Sequence, residues 1–314
     1  MRKLALLLTL AGLVAAPAAT ATAGPPAALA PTATSVVTSP LSTATATANP
    51  TTIAADKPAS WNVEPLPQAH AHNDYEHDRP LRDALSHGFT SVEVDVYLVD
   101  GQLLVGHDPE DLDPERTLQS LYLEPLRHRV LAGHGAIYRG YRGELFQLLV
   151  DIKNTGAATY AELDEVLSSP QYRFLFTRYA NDDVHKRPVT VVVSGDRPRE
   201  VMEAQTRRFA FYDGRILNEE DLGLGADAEL VPLVSDNWTL VFTWTGAGEM
   251  PADERALLHD IVATAHDAGQ RVRFWATPDE PGPERTAVWN ELEAADVDHI
   301  NTDDLAGLAE FLRD

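Results

Sequence analysis

The sequence predicts a (β/α)8 barrel forming a single domain, and three observations carry that reading. Residues 61–314 match the ~250 residues typical of such a barrel. Within them, eight runs of strand chemistry alternate with helical patterns, the βαβ rhythm of a parallel sheet. The turn after the first run reads His70-Ala-His-Asn-Asp-Tyr75. It is not the Gly-rich phosphate turn that a doubly wound sheet would place there.

The segment before the barrel has a different chemistry. Arg2 and Lys3 precede an apolar run, Leu4 to Ala16, and Ala21-Thr22-Ala23 is a small-x-small cleavage pattern. The run breaks at Pro17, short of the ~20 residues that span a bilayer, so residues 1–23 read as a secretory signal peptide and not as an anchor. Residues 24–60 are rich in Ala, Thr, Pro and Ser. That composition buries too little apolar surface to order a backbone, and it reads as a disordered linker. The expected location is therefore secreted or cell-surface associated.

The predicted strands are Leu66–His70, Ser91–Leu98, Phe146–Ile152, Val189–Ser194, Arg208–Tyr212, Leu230–Ser235, Arg271–Ala276 and Val297–Asn301. Phe174–Thr177 and Thr239–Thr243 compete with the middle of that set. Helical patterns cover Pro80–Ser86, Tyr160–Leu167, Arg199–Arg207, Pro251–Ala268, Glu284–Ala295 and Leu305–Leu312. Asp100-Gly101 between two apolar runs is a two-residue hairpin signal, which adds an antiparallel arm after the second strand.

The chain has no cysteine, so an exported domain of this kind must rely on core packing and bound metal. Its formal net charge of −23 repels nucleic acid and anionic surfaces at long range. No nucleic-acid partner and no stable membrane insertion are expected, and the domain is expected to be a monomer. An anionic substrate would meet the same repulsion, so its site must supply local positive charge.

Ser91-Val-Glu93-Val-Asp95-Val-Tyr97 alternates strictly. The valines therefore share one face, while Glu93 and Asp95 share the other. In a barrel the acids point inward, where two carboxylates repel unless a cation lies between them. Oxygen ligands of this type suit Mg2+ or Ca2+, and one divalent cation, Mg2+ ahead of Ca2+, is expected. Leu148-Leu-Val-Asp151-Ile-Lys153 repeats the pattern, with Asp151 as a third metal ligand and Lys153 as a phosphate contact, or the two as a structural ion pair. His72 and His107 end the first strand and the hairpin arm, on the same rim. Phosphodiester cleavage needs such a pair, one to take a proton and one to give it. His70 rivals His72 for the first role, and His128, His185, His259 and His299 read as surface or helix residues.

Taken together, His72-Asn73, Glu93-x-Asp95, Gly106-His107-Asp108, Asp151-Ile-Lys153, Phe274-Trp275 and Ile300-Asn-Thr-Asp303 resemble, in order, the glycerophosphodiester phosphodiesterase and phosphatidylinositol-specific phospholipase C-like superfamily. The resemblance is closest to the altered inheritance of mitochondria branch, through His72-Asn-Asp-Tyr75, Ser235-Asp-Asn-Trp238 and Arg273-Phe-Trp-Ala-Thr-Pro278. It implies a barrel with one divalent cation on Glu93, Asp95 and Asp151, with His72 and His107 as acid and base. It also puts Lys153 on phosphate and Trp275 and Asn73 on the substrate side. The Arg-Gly that usually follows the first His, and a Glu-Asn-Thr signature, are missing from this sequence.

The expected activity is cleavage of a small-molecule or lipid phosphodiester, by water or through a cyclic phosphate. The alternatives are a non-catalytic barrel that binds a phosphorylated ligand, and a glycoside hydrolase acting through paired carboxylates.

Overall fold

The structure, a computed structural model, describes residues 61–218 and 221–314. The signal-peptide and linker readings lie outside the described residues. The strands are β1 (Leu66–Ala71), β2 (Phe89–Val99), β3 (Gln102–Val105), β4 (Phe146–Ile152), β5 (Arg178–Ala180), β6 (Val184–His185), β7 (Val189–Gly195), β8 (Arg207–Arg208), β9 (Ala210–Arg215), β10 (Leu233–Asn237), β11 (Arg271–Trp275) and β12 (His299–Thr302). Eight of them run parallel in the order β1-β2-β4-β7-β9-β10-β11-β12, and β12 pairs with β1 to close the barrel. These are the eight predicted strands, although β9, β10 and β12 start two or three residues later than their patterns suggest.

Outside the barrel lie α1 (Arg82–His87), α2 (Glu124–Ala132), α3 (Gly156–Ser168), α4 (Arg199–Ala204), α5 (Trp238–Val241), α6 (Ala252–Asp267), α7 (Pro283–Ala294) and α8 (Leu305–Phe311). Of the two competing segments, residues 239–241 fall within α5, and Phe176 makes only an isolated parallel bridge to Val189. No helix of the described residues is long and apolar enough to cross a membrane.

Alternation decides which residues enter the barrel. Val92, Val94 and Val96 of β2, and Leu148, Val150 and Ile152 of β4, join the outer core beneath the helices. Burying each such side chain contributes about 1.5–3 kcal/mol. A one-residue slip would send all of them inward and expel the carboxylates, so the apolar face sets the register of the acids. The barrel interior holds a separate apolar group, Leu149, Val192, Phe211 and Leu233. Partly buried Tyr179 and Val184, from the small antiparallel sheet β6-β5-β8, pack against it.

The hairpin arm forms as its turn chemistry requires. Asp100 and Gly101 both take positive φ, 49° and 78°, and β3 pairs antiparallel with β2 from Val99↔Gln102 to Val96↔Val105. Two positive φ values are what a type I′ turn demands, and its twist matches the strands it joins.

After β1, Asn73 adopts a left-handed φ of 43°, which Asn tolerates better than most residues. It turns the chain into a short 3-10 segment, Asp74–Glu76. Asp74 is fully buried there and accepts hydrogen bonds from the Leu81 amide and from the Tyr122 hydroxyl at 2.9 Å. Burial outweighs those bonds and pushes its carboxyl up to about 7. A raised folded value contributes stability that is complete below the unfolded carboxyl range near 3.9 and is lost as pH rises through about 7. The melting temperature should therefore decline across that window. Asp74→Asn, which cannot ionise, should decline less, as thermal melts at pH 4 to 8 would show.

Candidate active site

The C-terminal ends of the barrel strands surround a cavity of about 220 Å³. Its wall includes His72, Asn73, Glu93, His107, Asp151, Lys153 and Trp275, each of which the sequence singled out. Asp95 is fully buried immediately behind them. This is the face on which barrel enzymes carry their chemistry.

The three acids converge. One oxygen each from Glu93, Asp95 and Asp151 lies within 4.8 Å of the others, because β2 and β4 pair in register at Asp95↔Asp151 and Glu93↔Leu149. Asp95 receives the Tyr75 hydroxyl at 2.7 Å and the Lys153 ammonium at 3.0 Å, both on Oδ2. Its Oδ1 is buried with no hydrogen-bond partner. Burial pushes Asp95 up to about 6, Lys153 opposes the shift, and Glu93 and Asp151 add to it. Asp151 is raised as well, mainly by burial, although Lys153 lies 3.2 Å away. Two carboxyls that resist ionisation beside an orphaned carboxylate oxygen fit a hard divalent cation, which would reverse both shifts.

Glu93 behaves differently. It is buried, yet the Arg273 guanidinium, hydrogen-bonded to its Oε2, holds its carboxyl well below the usual range. The Asn301 side-chain oxygen in turn accepts from Arg273 Nε at 2.9 Å. His70 is fully buried beside Glu93. Its Nδ1 meets Ser91 Oγ at 2.7 Å and its Nε2 meets Glu93 Oε2 at 3.4 Å. Burial and Arg273 lower it to about 4, so it is a neutral support for Glu93 and does not line the cavity.

His72 does line the cavity. Its Nδ1 is 2.8 Å from Asp303 Oδ1, which fixes the ring and leaves Nε2 to exchange a proton. Burial opposes its charge, but Asp303 and Glu93 outweigh burial and raise its pKa. His107 lies 3.2 Å from Asp108 Oδ2 through Nδ1 and is half exposed. The Tyr97 hydroxyl donates to the His107 carbonyl at 2.9 Å and ties the arm to β2.

Two cations on the cavity wall were not assigned from the sequence, Arg215 and Arg273. Arg215 is held by Asp213 at 2.6 Å, by Ser235 at 3.2 Å and by Ser194 at 3.1 Å. With Lys153 they place three cations on the cavity wall of a protein whose net charge is −23. His299, read from sequence as a surface or helix residue, is instead fully buried in β12, with its ring centroid 5.8 Å from that of His70.

A closed parallel barrel that gathers three acids, two histidines and three cations at the C-terminal rim has the architecture of a phosphodiesterase-type barrel. Residues 58–213 match the AIM6-like phosphodiesterase domain, and residues 271–306 match the glycerophosphoryl diester phosphodiesterase family. The chain belongs to the altered inheritance of mitochondria protein 6 family. It is 32% identical to that protein of Lachancea thermotolerans, over 78% of this chain and 65% of the relative. It is 30% identical to that of Eremothecium gossypii, over 80% of this chain and 70% of the relative. The homolog from Arthroderma benhamiae is 30% identical, over 77% of this chain and 82% of the relative.

Proposed function

We propose that this protein is an exported, metal-dependent phosphodiesterase that cleaves a small-molecule or lipid phosphodiester. The observation that carries this reading is the convergence of Glu93, Asp95 and Asp151 beside His72 and His107 in one cavity. Glu93, Asp95 and Asp151 would hold a divalent cation, Mg2+ ahead of Ca2+, which supplies Lewis-acid polarisation of a phosphoryl oxygen when bound. Lys153, Arg215 and Arg273 draw the phosphate into the cavity and offset its charge. Asn73 and Trp275 shape the wall against the group attached to it. His72 and His107 exchange protons with the entering and leaving oxygens through their free Nε2 atoms.

A cavity of about 220 Å³ suits a phosphate and a short stretch of its ester. A second cleft of about 550 Å³, which shares His107 with the first and is also lined by Tyr75, Glu76, Asp78 and Arg116, gives the remaining alcohol room. The test is a panel of glycerophosphodiesters and phospholipid head-group esters, with and without chelator. Chelator-sensitive release of a phosphomonoester or cyclic phosphate supports the reading. No turnover on any member would favour a binding barrel, and chelator-insensitive release of sugar would favour a glycosidase.

Trp275→Ala should raise KM by about tenfold, equivalent to about 1.4 kcal/mol of uniform binding, and change kcat little. An indole cannot ligate the cation, so Mg2+ affinity should be preserved. If kcat falls with KM unchanged, the indole does not act on binding.

A further inference from the structure

At the opposite end of the barrel, where the strands begin, a cavity of about 430 Å³ shares no wall residue with the catalytic one. Its volume is in the range of small-molecule sites, ~300–1,000 Å³. The bottom of such a barrel is ordinarily filled by layered side chains; here Phe211 of the inner apolar group, and Val184 packed against that group, also line the cavity. Leu145, Val184, Phe211 and Pro232 make much of the wall apolar. The charged wall residues are Arg271, Lys186 and Glu229, an excess of one cation in a strongly acidic protein.

Arg271 is the telling residue. Its Nη2 donates to Gln147 Oε1 at 2.7 Å, and among the described residues no carboxylate makes an ion pair with it. Burial lowers its pKa, and Asp298 offsets that only in part. Arg271 is only partly buried, and of the five N–H donors of a guanidinium one is taken by Gln147, which leaves the others for an anion in the cavity. Gln147 cannot follow a wandering partner. Its Nε2 donates to Ser91 Oγ at 2.9 Å, and that oxygen is 2.7 Å from His70 Nδ1. The Arg271 head is thus held at the cavity wall with donors to spare.

We propose that this cavity is a second ligand site, for an anionic amphiphile such as a medium-chain fatty carboxylate. The alkyl chain lies against Phe211, Val184 and Pro232, and the carboxylate bonds to Arg271 with Lys186 at the rim. An inorganic anion would leave the apolar wall wet, and an uncharged chain would leave the Arg271 charge without a counter-ion, so both parts of the ligand are required. The inference is independent of the catalytic reading.

The test is calorimetric titration of the full chain with dodecanoate below its micelle concentration, with dodecanol and acetate as controls. One dodecanoate should bind saturably, with both controls at least about tenfold weaker. Arg271→Gln should weaken dodecanoate about tenfold. Ala228→Phe, which places a ring into the wall from a surface loop, should block it, and this variant decides the matter if Arg271→Gln does not fold. Trp275→Ala, in the other cavity, should leave binding unchanged. The proposal is overturned if the native chain shows no saturable binding, if dodecanol binds equally well, if either cavity variant binds as the native chain does, or if Trp275→Ala abolishes binding.

Discussion

Asp95→Asn is expected to remove divalent-cation binding and turnover together, with a loss of roughly 10³-fold or more, equivalent to about 4 kcal/mol of transition-state stabilisation. Asp95 is the acid with the most to lose. It is the one fully buried member of the trio, and its Oδ1 has no protein partner. The Asn side chain keeps the shape and can still accept the Tyr75 hydroxyl, so the melting temperature should shift little while Mg2+ titration by calorimetry loses its signal. Because the carboxyl is raised to about 6, protons should compete with the cation. Mg2+ affinity of the native chain should therefore fall as pH drops through about 6, and binding should release protons there. Full turnover of Asp95→Asn in excess chelator would remove the metal from the reading altogether.

Much of this site was legible in the sequence because its early half is written in local patterns. Strict alternation in Ser91–Tyr97 separates acids from valines, and Asp100-Gly101 announces the arm that brings His107 back to the rim. Arg215 was missed because β9 appeared to end at Tyr212. Asp213-Gly214-Arg215 reads as a turn, whereas pairing with β10 extends the strand through it. Arg273 lay within a recognised motif, but its contact with Glu93 spans 180 residues and exists only once the barrel closes. His299 was misread for the same reason: its surroundings are set by β1 and β11, not by its neighbours in the chain. The small β6-β5-β8 sheet has strands of two or three residues, too short for a periodic signal. In α2, Leu126 and Val130 are buried, but arginines and a histidine between them obscure the apolar face.

His72→Ala and His107→Ala should each lower kcat by about 10²-fold or more while leaving the fold and Mg2+ binding intact. Both rings are on the cavity wall, and each is anchored through Nδ1 to a carboxylate, Asp303 or Asp108, so that Nε2 is left for the proton. His70→Ala should have a different signature. It removes the buried support of Glu93, and should weaken Mg2+ binding and lower the melting temperature in step with activity. The anchor itself is testable through pH. Asp303 and Glu93 raise His72 against the effect of burial. The His72–Asp303 pair therefore adds stability that is complete below the unfolded imidazole value near 6.5 and is lost as pH rises through the higher folded value. Asp303→Asn should lower the His72 pKa and move the matching limb of the pH–kcat profile to lower pH, while Asp108→Asn should leave that limb in place. If Asp303→Asn lowers kcat at every pH without moving the limb, then Asp303 holds the loop after β12 and His72 is not the group whose titration the profile reports.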